Sequence, residues 1–278
     1  MTVNSTECAP ETVTAPDGAQ LVACAHGGHV LGWTPAGGVP RLWLSPTAQC
    51  GPGKAIRGGI PVIFPQFSDR GSLPKHGFAR DRAWSGSSFS DGSAVTWQAT
   101  LGDSAETRAL WPHRFELQVT ARAAGDQLDV TLTVVNHGGA PMAFSAALHT
   151  YLAIGGSGAT IDGLDGLVAE DNASPGSSVS LTGSLDALEE RDVAVLSVPG
   201  PVVLSDPELG TVTVTADGFP DRVVWNPGPR HSLGDVPKGD ERHFVCIEPA
   251  LLESFVVNST DTWNGRLTLV ARSPETSE

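Results

Sequence analysis

Residues 115–134 read FELQVTARAAGDQLDVTLTV. Phe115, Leu117, Val119 and Ala121 alternate with polar neighbours, and so do Leu128, Val130, Leu132 and Val134 beyond the turn Ala124-Gly125-Asp126. A period of two on both sides of a Gly-Asp turn is the pattern of an antiparallel hairpin. Its apolar set faces a core, and Asp129, Thr131 and Thr133 lie on the outer face. Outward from this hairpin the same rhythm continues in shorter pieces. Strands are expected over residues 12–15, 20–25, 29–32, 41–45, 94–101, 202–204, 211–215, 222–225, 243–249 and 266–271, with weaker ones near 167–169 and 177–181. Turn signals such as Pro16-Asp17-Gly18, Gly27-Gly28, Asp206-Pro207 and Asp217-Gly218 separate them. Only residues 102–111 read as helical, a single turn capped by Asp103 or Ser104 and ended by Pro112. Many short strands without a long helix predict an all-β sandwich. No linker or internal repeat divides the chain, so residues 1–278 are expected to form one domain, with a disordered polar tail at 273–278.

Composition narrows the class. Hydrophobic residues make up 40% and charged residues 17% of the 278, values of a globular chain. A formal net charge of -14 argues against nucleic acid, whose phosphates are met by many basic contacts. No apolar run reaches the ~18 residues that span a bilayer. The N-terminus MTVNSTECAPE lacks the basic and apolar regions of a signal peptide, so a cytoplasmic location is expected, with no membrane partner. Cys8, Cys24, Cys50 and Cys246 show no CxxC spacing, and reduced thiols are expected. His26 and His29 with Cys24 could be drawn as a metal cluster, but no carboxylate or fourth ligand accompanies them.

The second stretch that stands out is 56–84, IRGGIPVIFPQFSDRGSLPKHGFARDRAW. Its four glycines and three prolines are too many for a helix interior or a central strand, so it reads as a fixed loop system. Residues 54–82 carry Lys54, Arg57, Arg70, Lys75, Arg80 and Arg82 against Asp69 and Asp81, a local +4 in an acidic chain. That balance points to a small anionic ligand.

Arg57-Gly58-Gly59-Ile60-Pro61, Phe64-Pro65-Gln66-Phe67 and His76-Gly77-Phe78-Ala79-Arg80 together resemble the hexose-6-phosphate mutarotases, or glucose-6-phosphate 1-epimerases, of the aldose 1-epimerase superfamily. Further matches are His149-Thr150-Tyr151, Val224-Trp225-Asn226-Pro227 and the run Val245-Cys246-Ile247-Glu248-Pro249, and the resemblance extends from about residue 15 to about residue 270. Glu190-Arg191-Asp192-Val193-Ala194-Val195 aligns with a family segment E-x-D-R-V-Y, matching at Asp192 and departing at Val193 and Val195. The resemblance implies the large antiparallel super-sandwich of galactose-mutarotase-like proteins. It implies interconversion of the α and β anomers of a hexose 6-phosphate, without metal or cofactor.

One group must take the proton of the C1 hydroxyl and another protonate the ring oxygen, after which the C1–C2 bond rotates and the ring recloses with the roles exchanged. The resemblance assigns Glu248 as base and His149 as acid, the latter as an imidazolium with a pKa near or above ~6.5 while substrate is bound. His76 would hydrogen-bond the sugar. Arg57 and Arg80 would grip the phosphate, because planar guanidinium groups suit bidentate contacts. Lys75, Gln66 and Asp192 are further candidates for substrate contact. The competing reading is a non-catalytic sugar or sugar-phosphate binding module, against which the joint presence of His149 and Glu248 counts. A metal-dependent sandwich enzyme would be sensitive to EDTA, and the sequence displays no clustered ligand set for it. Neither the preferred hexose nor the oligomeric state is legible in the sequence.

Overall fold

The computed structural model describes residues 8–90 and 92–274. Twenty strands among them form antiparallel sheets of three, eight and nine strands, and the only α-helix among these residues is the six-residue Ala105–Leu110. The all-β sandwich is therefore what forms. Within the nine-stranded sheet the predicted hairpin appears as Phe115–Ala124 against Gln127–Asn136, paired from Phe115 with Asn136 to Ala124 with Gln127. Phe115, Leu117, Val119, Ala121, Leu128, Val130, Leu132 and Val134 are all buried in one cluster. Burial of each Val, Leu or Phe side chain contributes about 1.5 to 3 kcal/mol. Asp129 on the outer face accepts hydrogen bonds from Arg266 and Thr268, which tie the hairpin to the neighbouring strand Thr262–Arg272, and one from Gln127 on its own strand.

The eight-stranded sheet runs Ser178–Ser180, Val168–Asp171, Arg191–Val195, Asp221–Asn226, Phe244–Val257, Met142–Leu148, Val62–Ile63, and Tyr151–Ala153 also pairs with Phe244–Val257. Its two faces have separate fates. Val193, Val195, Val224, Ile247 and Leu148 join the main core. Ala194, Val223, Ala147 and Ala250 form a smaller cluster on the other face. The three-stranded sheet, Glu11–Thr14, Gln20–Cys24 and His29–Thr34, adds Leu21, Val30 and Trp33 to the main core.

Several expectations are corrected. Residues 41–45 make isolated bridges at Leu42 and Leu44 rather than a strand, because their backbone is shared among Tyr151, Arg57 and Gly59. Ser85–Ser90, SGSSFS, is an edge strand whose Ser and Gly content hid it. Thr160–Asp162 and Leu185–Asp186 are further short strands that are not among those expected from the sequence. The strand expected over 243–249 begins at Phe244 and continues through Pro249 to Val257. The helical turn is capped by Ser104, one of the two expected caps, which with Thr107 forms a capping box. Of the expected disordered tail, only Ser273 and Pro274 fall within the described residues.

The cysteine expectation is also corrected. Cys8 and Cys50 form a disulfide with their Cα atoms 5.9 Å apart, while Cys24 and Cys246 are buried free thiols. The partners lie 42 residues apart and meet only after the fold brings them into one apolar cluster with Leu31 and Ile56. Denatured, unreduced protein should therefore titrate two thiols rather than four. Reduction should lower the urea-unfolding free energy by about 2 to 4 kcal/mol. Four reactive thiols without reductant would remove the crosslink.

Candidate active site

Register assembles the site. On the Phe244–Val257 strand, Ala250 pairs with Ala147 and Cys246 with Tyr151, and the spacing between these pairs leaves Glu248 facing His149. On the strand's other side Glu248 pairs with Val223 and Cys246 with Trp225, and Trp225 in turn pairs with Asp192. Because alternate residues share a face, Glu248, Cys246, Trp225 and Asp192 all lie away from the main core. Val193 and Val195, the two departures from the family segment, fall on the core face and are buried there. They are removed from the site by parity alone.

The loops of the 56–84 stretch close over this face. Gly58 at φ +103° and Gly59 at φ +64° lie where a Cβ would meet Trp43 O at 2.6 Å and Val30 O at 2.3 Å respectively. Only glycine permits that approach. It lets the chain hydrogen-bond from Gly59 N to Trp43 O and from Tyr151 N to Gly59 O, and so brings Arg57 against the site. Arg57 Nη1 donates to the Tyr151 hydroxyl at 2.8 Å, and its Nε lies 3.1 Å from Asp235. Arg80 donates to the Lys75 carbonyl at 3.1 Å, and no carboxylate pairs with it among the described residues. His76 holds a left-handed backbone at φ +67°, a cost of about 1 to 3 kcal/mol that the surrounding loop sustains. Its Nδ1 accepts from Ser68 N at 3.3 Å, which leaves the proton of the neutral ring on Nε2.

The result is a cavity of about 250 Å³ lined by Arg57, Lys75, His76 and Arg80 from the loops and by His149, Asp192, Trp225 and Glu248 from the sheet. His149 is 7% and Glu248 2% exposed, so both titrating groups are effectively dry. His149 Nδ1 approaches Glu248 Oε1 to 3.2 Å without the alignment of a hydrogen bond, and Glu248 Oε2 has no protein partner. Tyr151, the only tyrosine of the chain, stacks on His149 with ring centroids 4.7 Å apart and planes 6° apart.

Electrostatics follow from burial and from the arginines. Burial, then His76, Arg57 and Arg80, holds His149 well below the ordinary histidine value. Burial, then the Asp192 carboxylate, lifts Glu248 well above the ordinary carboxylate range. His76 is pushed down to about 3 by burial and the neighbouring cations, which keeps it a neutral hydrogen-bond donor. Burial opposes the Arg57 charge, and the contacts with Tyr151 and Asp235 more than restore it. Burial and the arginines act against the imidazolium expected of His149 with substrate bound. Burial thus disfavours the charged form of each group.

The structure brings together His149, Glu248, Arg57, Lys75, His76, Arg80 and Asp192. Gln66 is not among the lining residues. Its amide bonds Ser68 O, Leu73 O and Leu73 N, and so is consumed in shaping the loop. The local +4 is not one site either, since Arg70 pairs with Glu170 and Arg82 with Glu106. Sequence reading missed Tyr151, Asn172 and Asp235 as site residues. Asn172 donates to Asp192 Oδ1 at 2.8 Å and so orients that carboxylate. Tyr151 was discoverable from its position two residues after His149, whereas Asn172 and Asp235 lie in irregular segments with no periodic signal.

The reading that the chain displays no clustered ligand set is corrected as well. Donor atoms of His149, Cys246 and Glu248 lie within 4.8 Å of one another, as do those of Cys8, His26 and Cys50. In the second group both sulfurs are engaged in the disulfide. In the first, burial pushes the Cys246 thiol well up, opposing the thiolate that a metal requires. His29 serves structure, with Nε2 2.8 Å from Gly58 O and a pKa lowered to about 4 by burial.

The family model of aldose 1-epimerase matches residues 12–269. The chain belongs to the aldose 1-epimerase family. Within that family it is 35% identical over 235 residues to a protein of Escherichia coli (strain K12) named "Putative glucose-6-phosphate 1-epimerase", covering 81% of this chain and 77% of the relative. A protein of Cenchrus ciliaris with the same name is 32% identical over 288 residues, covering 94% of this chain and 87% of the relative. A crystal structure of a Salmonella typhimurium mutarotase, itself named as putative, superposes with a TM-score of 0.84 at 28% identity, covering 94% of this chain and 90% of that one. The Slr1438 protein from Synechocystis sp. PCC 6803, at 22% identity and a TM-score of 0.79 over 98% of this chain and 99% of its own, shares the fold. As an aldose 1-epimerase family member the chain is a sugar mutarotase, and His149 and Glu248 lie together in its cavity.

Proposed function

We propose that the chain interconverts the α and β anomers of a hexose 6-phosphate by cofactor-independent acid/base ring opening and closure, as one domain. The observation that carries the phosphate is Arg57 beside Arg80 at the wall of the cavity that holds His149 and Glu248. Two like charges drawn out of water repel, and burial together with Arg57 lowers the proton affinity of Arg80. A dianionic group between them relieves that repulsion. Lys75 at the rim and Asp192 on the sheet complete a polar ring suited to phosphate at one end and sugar hydroxyls at the other.

Glu248 and His149 exchange a proton with O1 and the ring oxygen. Both groups line the one cavity, and ring closure on either face reverses their roles. His76 donates through Nε2 to the sugar. Charged sugars do not cross a membrane freely, so a cytoplasmic location fits this reading. No helix among the described residues is long and apolar enough to cross a membrane. A metal in the His149–Cys246–Glu248 group would make exchange sensitive to EDTA, and the acid/base reading expects none.

The test is kcat/KM on glucose 6-phosphate and glucose in Arg57→Ala and Arg80→Ala. Charge-assisted hydrogen bonds contribute roughly 1.5 to 3 kcal/mol, so either change should weaken use of the phosphorylated sugar by about 10- to 150-fold. The loss on glucose should be much smaller. Arg→Lys should recover only part, since a point charge cannot reproduce a planar fork. Equal losses on both sugars would assign the arginines to loop architecture and withdraw the phosphate.

A further inference from the structure

The phosphate grip and the proton-transferring pair are in physical contact. Arg57 bonds the Tyr151 hydroxyl at 2.8 Å, and the Tyr151 ring lies flat on the His149 ring, 4.7 Å away and 6° from parallel. Tyr151 is 1% exposed and also packs edge-on to Trp225, so its ring has little freedom except to follow its two neighbours. Arg57 meanwhile divides its guanidinium between Tyr151 and Asp235, 3.1 Å from Nε. An anion bound at Arg57 and Arg80 competes with Asp235 and re-aims the guanidinium. It also offsets the positive charge that these arginines present to His149.

We propose that the 6-phosphate activates the acid/base pair as well as anchoring the sugar, and that Tyr151 is the positioning residue coupling the Arg57 grip to the His149 ring. This rests on the hexose 6-phosphate reading given above. The direction of the effect follows from charge. His149 carries a proton reluctantly because burial, His76, Arg57 and Arg80 all oppose it. Compensating the two arginines removes part of that opposition at the moment substrate is present, and an unphosphorylated sugar leaves it in place. Phosphate discrimination then resides in kcat as well as in KM, the pattern expected when the binding of a remote group is realised at the reacting centre.

The experiment supplies the phosphate in pieces. Anomeric exchange on glucose is measured by NMR at saturating sugar with increasing phosphite dianion, after subtracting the exchange that phosphite catalyses without protein. A nearby charge changes proton affinity by about 10-fold or more, so a saturable rise of about tenfold is expected. Over the same concentrations phosphite should competitively inhibit exchange on glucose 6-phosphate. In Tyr151→Phe, which keeps the stacked ring and removes the hydroxyl, that inhibition should persist while the factor by which phosphite activates glucose exchange falls below the native one, to what charge compensation alone supplies. A merely structural role for Tyr151 would lower exchange with and without phosphite in the same ratio, and would overturn the coupling. Competition by phosphite without any activation in the native protein would overturn the inference and leave the phosphate reading standing. Phosphite that neither competes nor activates would overturn both.

Discussion

In Glu248→Gln the rate of anomeric exchange should fall by about 10²- to 10⁴-fold, the usual contribution of a positioned acid or base. The substitution keeps the shape and one acceptor oxygen but can neither take up nor release the proton. It should not cost folding. Glu248 is fully buried with its carboxyl shifted well upward and Oε2 without a protein partner, so exchanging a carboxyl for an amide removes no ion pair on which the sheet depends. The measurement is exchange spectroscopy on glucose 6-phosphate beside a urea-unfolding curve. An unchanged rate, or a loss of rate explained wholly by unfolding, would take Glu248 out of the mechanism.

His149→Asn should cause a comparable fall, again about 10²- to 10⁴-fold, with sugar-phosphate affinity largely kept. The asparagine retains a polar group facing Glu248 but cannot exchange protons near neutral pH. The pH profile carries further information because both groups are displaced. Below the acid limb the pair holds two protons and has no base; above the alkaline limb it holds none and has no acid. With His149 lowered by burial and Glu248 raised by burial, kcat/KM should remain on its plateau to below pH ~6.5 and fall on the alkaline side only well above ~4.3, the ordinary glutamate value. A profile with an acid limb at or above the ordinary histidine value would contradict the dry environment of His149. If His149→Asn yields only unfolded protein, the histidine is a structural residue instead.

Alternation made the fold legible. The hairpin Phe115–Ala124 and Gln127–Asn136 was readable because one face is uniformly apolar and its turn is Gly-Asp. Ser85–Ser90 was not, since an exposed edge strand needs no apolar face and its Ser and Gly content reads as loop. In the site, Arg57, His76, Arg80, His149 and Glu248 were visible through local motifs. The partners that orient them were not, because Tyr151 with Arg57, Asn172 with Asp192 and Cys8 with Cys50 are separated by 94, 20 and 42 residues. Gln66 shows the opposite failure. It lies in a motif, yet its amide is spent on backbone groups within its own loop. Burial and register decide such cases, and neither is a property of a short segment.

The placement of His149 opposite Glu248 has a consequence for assembly. A slip of one residue between Met142–Leu148 and Phe244–Val257 would turn Glu248 from the polar cavity into the apolar main core and Ile247 out of that core. The acid and the base therefore cannot be misplaced independently by a few tenths of an ångström through strand sliding; beside Ala250 and Ala147 the ladder is either in its one register or grossly wrong. Recovery of enzymatic turnover after dilution from denaturant would thus report the closing of this ladder, which joins segments about a hundred residues apart. That makes turnover a clock for the long-range step, and one that spectroscopic signals from the local hairpins should precede.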